Sequence, residues 1–294
     1  MVPKTPDDVL KEFAPESLST SFSKGLSALF VRNIKIIWQY KFSILMGFVN
    51  TLIFTSLFYY VSLLVPDLQI AQDNYVIDSI SFIFAGVLLI EISTKILMKS
   101  LNSFTSEMRQ GTFETLATLP FGLKRYFVSE IAFEVIYGLV LSSIYFLPIF
   151  FIFPVFRTIN LTLASFFSLV LIVICTLIFF FSLSLLAANF TILNKRGREI
   201  AMVIIGVMHL LSGSLFPLTF FPTWLRYLAY GSPFTLAVRS FRLCLFGGGV
   251  ISDTNVWISI VVLLLASVVI FILFLCTFNK IYRRIRLSGT IHEY

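Results

Sequence analysis

Ser103-Phe-Thr-Ser-Glu-Met-Arg-Gln-Gly-Thr-Phe-Glu-Thr-Leu-Ala-Thr-Leu-Pro-Phe-Gly-Leu-Lys-Arg-Tyr126 is a polar island in a very apolar chain, with long hydrophobic runs on both sides. It is too polar to sit in lipid and too regular in pattern for a mere linker. Helical spacing puts Phe104, Met108, Phe113 and Leu116 on one face of a short helix, while Glu107, Gln110 and Glu114 face away. Pro120 and Gly122 stop that helix, because Pro lacks the N–H and Gly favours turns. A short amphipathic helix held at a membrane surface between two spans is a docking surface.

Composition supports that setting. Of 294 residues, 58% are hydrophobic and 13% charged, against about 25% charged in a soluble domain. Mean hydropathy is +0.94. The fold class expected is an all-α integral membrane protein. The net charge of +7 comes from 22 Lys and Arg against 15 Asp and Glu. In this setting it reads as basic residues gathered in cytoplasmic loops, with no nucleic-acid partner. The three cysteines, Cys175, Cys244 and Cys276, have no metal-site or disulfide spacing. The first thirty residues lack a signal-peptide pattern, since acidic residues precede the first apolar run.

Residues 1–21 read as a polar tail. Residues 21–40 then become helical in pattern. Phe22, Leu26, Leu29, Phe30, Ile34 and Ile37 form one stripe, and Lys24, Arg32, Lys35 and Gln39 form the other. This predicts an amphipathic helix in the membrane interface, its bases toward phosphates and Trp38 at headgroup depth. Six later runs reach the length of about 20 residues that crosses a bilayer. They are 42–65, 76–98, 127–153, 161–187, 200–217 and 256–278, the fifth being the shortest. Residues 281–294 form a basic tail.

Basic residues set the orientation. Lys24, Arg32, Lys35 and Lys41 precede the first span, and the next loop carries Asp67 and Asp73 with no Lys or Arg. The docking loop has Lys99, Arg109, Lys124 and Arg125, and the following loop only Arg157. Lys195, Arg196 and Arg198 lie between spans four and five, and Lys280, Arg283, Arg284 and Arg286 in the tail. The alternation places both termini and the docking loop in the cytoplasm.

Residues 218–247 break the pattern. Two short helical stretches, 222–230 and 233–246, flank Gly231-Ser232-Pro233, and each is too short to cross. Proline at each start suits a first helical turn. Together they predict a re-entrant hairpin in the outer leaflet, tolerated where protein or a wet cavity covers its backbone. Trp224, Tyr227 and Tyr230 suit interfacial depth. Arg226, Arg239 and Arg242 are expected to face water, headgroups or a pathway.

Two segments carry a resemblance. Gln110-Gly111-Thr112-Phe113-Glu114-Thr115-Leu116-Ala117-Thr118-Leu119-Pro120, followed by Lys124-Arg125-Tyr126, resembles the cytoplasmic coupling segment of type-2 ABC transporter permeases. Leu211-Ser212-Gly213-Ser214-Leu215-Phe216-Pro217, with Pro222, Trp224, Leu225, Arg226, Tyr230, Pro233, Phe234 and Arg242, resembles the outer re-entrant segment of the same family. The sequence departs from the family at Leu119, where Thr or Val is common, and at Ser232, where many members have Asn. The resemblance covers about residues 22–280, as one transmembrane domain.

It implies an export permease of a prokaryotic plasma (inner) membrane. Two copies, or one copy with a homologous permease, would form the pore and join two separate ATPase subunits. Cargo would be an amphipathic drug, a lipid or a glycan-like substrate. The chain contains no Gly-x-x-x-x-Gly-Lys-Ser/Thr loop, so it is expected to bind no cofactor, with ATP and Mg on the partner. It is not expected to be an enzyme. Docking contacts would be Glu107, Arg109, Gly111, Phe113, Glu114, Thr115 and Leu116.

Other residues bear on the path. Glu91 and Lys95, one turn apart in the second span, read as an ion pair or a gate. Glu130 and Glu134 begin the third span, and could pair with Lys99 or with bases of the interfacial helix. His209 reads as a hydrogen-bonded structural residue, and Ser212-Gly213-Ser214 as a close helix contact between two copies. The outer hairpin centres on Pro217, Trp224, Arg226, Tyr230, Pro233 and Arg242. The alternative function is a secondary transporter driven by an ion gradient. It would prefer paired acids deep in the membrane and internal repeats. An intramembrane enzyme would need a Ser/His or His-Glu-x-x-His arrangement in the spans, and none is present.

Overall fold

The computed structural model describes residues 22–63, 70–72, 75–110, 123–152, 159–194 and 197–288. Helix α1 is Phe22–Gln39 and α2 is Lys41–Leu63. A small antiparallel ribbon follows, strand β1 (Ile70–Gln72) against β2 (Tyr75–Ile77), with Ile70 opposite Ile77 and Gln72 opposite Tyr75. Then come α3 (Ser79–Arg109), α4 (Leu123–Ile152), α5 (Leu163–Asn194) and α6 (Gly197–Leu211). A 3-10 turn at Leu218–Phe220 leads to α7 (Thr223–Gly231), α8 (Pro233–Phe246) and α9 (Thr254–Ser288).

Among the described residues, four helices are long and apolar enough to cross a membrane: Ser79–Arg109, Leu123–Pro148, Leu163–Ile192 and Thr254–Ile281. A fifth candidate is the bent pair Gly25–Gln39 and Lys41–Leu57, whose halves meet at 75°. Helix α6 has only 15 residues, or about 22 Å at 1.5 Å per residue. The chain is therefore a nearly all-helical, multi-pass membrane protein. The second apolar run differs from the reading above, since its first residues are in the ribbon and the helix starts at Ser79.

Helix α9 packs along α5, and α3 contacts α4, α5 and α6. One core cluster gathers Phe82, Ile90, Ile172, Phe180, Phe234, Phe241 and Leu263. A second gathers Leu97, Leu101, Phe104, Tyr126, Phe127, Ile131, Leu185 and Phe274. Helix α3 runs through both, with buried residues spaced at three and four along its length. It thus ties one end of the bundle, where α7 and α8 fold back, to the other, where residues 111–122 connect α3 to α4.

Candidate functional site

The last turns of α3 are not a separate docking helix. Residues 103–109 continue the 31-residue α3, because no Gly or Pro interrupts the chain from Val87 to Gln110. Phe104 and Met108 are buried, and Phe104 stacks on Phe127 of α4 at 4.2 Å between centroids. Arg109 is exposed in the final turn, where its charge suits the helix dipole. Gly111, Phe113, Glu114, Thr115 and Leu116 lie outside the described residues.

Glu107 does not face outward as the helical pattern suggested. Helix α1 lies beside it, and Arg32 Nη1 donates to Glu107 Oε1 at 3.2 Å. The Tyr126 hydroxyl donates to the same oxygen at 3.2 Å. Arg32 Nη2 reaches the Tyr126 hydroxyl at 3.3 Å and Glu130 Oε2 at 3.4 Å. Glu130 is only 2% exposed, so its charge requires partners. Asn33 Nδ2 donates to Oε2 at 2.9 Å, and Ser103 Oγ donates to Oε1 at 2.7 Å. Phe30 meets Phe133 edge-on at 5.1 Å, adding an apolar contact to the same junction. Three helices are thereby joined at the two ends of residues 111–122: α1 by Arg32 and Asn33, α3 by Ser103 and Glu107, and α4 by Tyr126 and Glu130.

Glu134, one turn further into α4, stands apart from this cluster. Its Oε2 is buried with no hydrogen-bond partner among the described residues. The Lys99 ammonium acts on it electrostatically and lies 3.7 Å from the centre of the Tyr137 ring.

Glu91 and Lys95 do form a pair. Lys95 Nζ is 2.9 Å from Glu91 Oε1. Thr51 of α2 donates to that oxygen at 3.0 Å, and Lys95 also sits 4.2 Å from the Tyr145 ring centre on α4. The Tyr145 hydroxyl donates to the Ile44 carbonyl at 2.7 Å. His209 Nε2 is 3.2 Å from Thr94 Oγ1, linking α6 to α3. These polar groups bind four helices together in an apolar bundle.

At the opposite end, α7 and α8 form the two-helix hairpin. Trp224 and Tyr227 are exposed, at 66% and 75%, and Tyr230 at 41%. Pro222 precedes α7 and Pro233 is the first residue of α8. Arg226 does not reach outward: its Nη2 donates to the Thr219 and Phe221 carbonyls at 2.7 and 3.2 Å. This closes the turn that follows Pro217. Arg239 lies 5.8 Å from the Tyr230 ring.

Arg242 also departs from the expectation of a base facing water, headgroups or a pathway. It is 2% exposed and donates to three backbone carbonyls, Phe82 at 3.1 Å, Gly213 at 3.0 Å and Ser214 at 2.6 Å. Its guanidinium covers the Phe82 ring at 3.4 Å. Gly213 adopts φ +60°, and this left-handed turn aims the carbonyls after α6 at Arg242. Ser212 and Ser214 are buried within the chain, so this stretch is an internal contact and not a contact between copies. Gly86 admits the turn, since a Cβ there would collide with the Ser214 carbonyl and the Arg242 side chain.

Glu130 meets a base of the interfacial helix, Arg32, which is one of the two pairings expected for it, whereas Asn33, Ser103, Thr51 and Tyr145 were given no role by sequence reasoning. Helical spacing marks Arg32 as a surface base, and nothing local identifies Glu107 as the second carboxylate it meets. Among the described residues, no group of three or more His, Cys, Asp or Glu could hold a metal.

Compared with known families, residues 24–246 match the family model described as ABC-2 type transporter. No curated protein matches the chain.

Proposed function

The chain belongs to the ABC-2 type transporter family, and from that premise we propose that it is the pore-forming permease of an ATP-driven exporter. Two copies, or one with a homologous permease, join a pair of separate ATPase subunits that hold ATP and Mg. Six spans cross a prokaryotic plasma membrane with both termini in the cytoplasm. Helix α6 serves as a short fifth span and α7–α8 as a hairpin in the outer leaflet. Cargo is an amphipathic drug, lipid or glycan-like molecule.

One observation carries this reading. Arg32 binds Glu107 at the exit of α3 and Glu130 near the entry of α4, so α1 grips both ends of the segment on which the ATPase docks. Closure of the ATPase pair pushes residues 111–119, and the Arg32 cluster passes the push to α1, α3 and α4 together. Arg109, Gly111, Phe113, Glu114, Thr115 and Leu116 make the contact, while Glu107 transmits.

The test is reconstitution with the ATPase that co-purifies with the chain. Gly111→Pro and Glu114→Lys are expected to abolish transport while leaving the permease folded. Unchanged transport and ATPase stimulation in both variants would overturn the assignment.

A further inference from the structure

An open groove of about 470 Å³ lies against α1, lined among the described residues by Ser27, Ala28, Val31, Arg32 and Lys35. Ser27, Val31 and Lys35 follow one another at four-residue spacing, with Ala28 and Arg32 in the adjoining row. Four bases but no acid occur between Phe22 and Leu63. The groove is therefore electropositive from its own element, and the carboxylates paired with Arg32 among the described residues are Glu107 and Glu130. Farther along, Ile34, Ile36, Trp38, Tyr40 and Phe42 are exposed. The Lys41 ammonium lies 4.6 Å from the Trp38 ring centre. A base over an indole, beside exposed aliphatic side chains, is the chemistry of headgroup depth. The 75° corner between α1 and α2 lays α1 along the surface that a spanning α2 enters.

We propose that this groove is a headgroup site for an anionic phospholipid. The lipid phosphate binds Lys35 and the outward edge of Arg32. Val31 and the exposed aliphatic residues beyond it lie against the glycerol and upper acyl chain. An acidic protein surface fits this site less well, because the groove opens beside the apolar and aromatic stretch that ends at Phe42. Arg32 is shared: its guanidinium already serves Glu107 and Glu130. A phosphate that takes part of Arg32 weakens its hold on Glu107. Anionic lipid thereby acts on the junction between α1 and the end of α3. The proposal rests on the functional reading only for that consequence, since lipid binding is measured on the permease alone.

The purified full-length chain in neutral detergent is titrated with phosphatidylglycerol and with phosphatidylcholine, and bound lipid is counted by native mass spectrometry. Phosphatidylglycerol is expected to bind preferentially. Lys35→Gln should weaken that binding about fivefold, the worth of one surface base against an anionic leaflet. Lys280→Gln, which removes a base of equal charge from α9, should leave it unchanged. Equal loss in the two variants would reduce the effect to bulk charge and overturn the site. Competition by millimolar inorganic phosphate as effective as that by the lipid would make it a free-anion site and overturn the lipid assignment. Unaltered lipid preference in Lys35→Gln, with weakened capture of the ATPase subunit, would assign the groove to that protein instead.

Discussion

The Nη2 atom of Arg242 lies 2.6 Å from the carbonyl oxygen of Ser214, though 28 positions separate the residues. That contact, with those to Gly213 and Phe82, fastens α8 to the turn after α6 and to the first turns of α3. A guanidinium suits the task because its fixed fork presents five donors. A lysine is a point charge and reaches fewer acceptors. Arg242→Lys is expected to cost about 3 kcal/mol, since buried carbonyls lose charged donors. In a thermal melt of the purified protein this should appear as a fall of about 6 °C in midpoint. Gly86→Ala should act on the same contact, because the new Cβ displaces the Ser214 carbonyl. The two losses should then fall short of additive in the double variant. Full additivity would mean that the two residues support different contacts.

The Arg32 cluster makes a graded forecast. Glu130 is buried with three side-chain donors around it, so Glu130→Gln should lower stability by about 2 kcal/mol. Arg32 is about one-third exposed, and solvent screens its contribution. Arg32→Gln should therefore cost less, about 1 kcal/mol. The double variant should cost little more than Glu130→Gln alone, because each change removes the same contact. A double-mutant cycle on thermal midpoints checks this, and a coupling energy near zero would refute it.

Glu91 and Lys95 should behave differently singly and together. Glu91→Gln leaves the ammonium, and Lys95→Met leaves the carboxylate, without its partner in an apolar bundle. Each is expected to cost about 3 kcal/mol. The combined variant should recover most of that loss, since neither charge remains to be solvated. Equal damage in single and double variants would point to a role beyond mutual neutralisation, such as gating.

Sequence periodicity revealed the long apolar helices, the amphipathic α1 and the paired short helices α7 and α8, because each follows from spacing within one segment. It also placed Glu91 and Lys95 one turn apart. What it missed depends on partners distant in the chain. Glu107 was assigned outward because its own helix offers no reason to turn inward, and the reason is Arg32 on α1. Arg242 was assigned to water, headgroups or a pathway because a base on an outer loop usually faces one of them. The left-handed turn at Gly213 and the absent Cβ at Gly86 instead create a buried cradle for it. The extent of α3 was hidden for another reason: polar side chains at its end suggested a boundary, while the backbone had no cause to stop before Gln110.

Only Tyr40 separates α1 from α2, and the corner is stitched on both sides. The Tyr40 N–H donates to the carbonyls of Ile36 and Ile37, and the Ser43 N–H donates to the Tyr40 carbonyl. With neither Gly nor Pro at the bend, the joint works as a bell-crank and not as a free hinge. Any roll of α1 about its own axis must come out as a lean of α2. Over 23 residues, or about 35 Å, a lean of about 5° carries the far tip by roughly 3 Å. A small rotation at the corner thus arrives at the far end of α2 magnified by leverage alone.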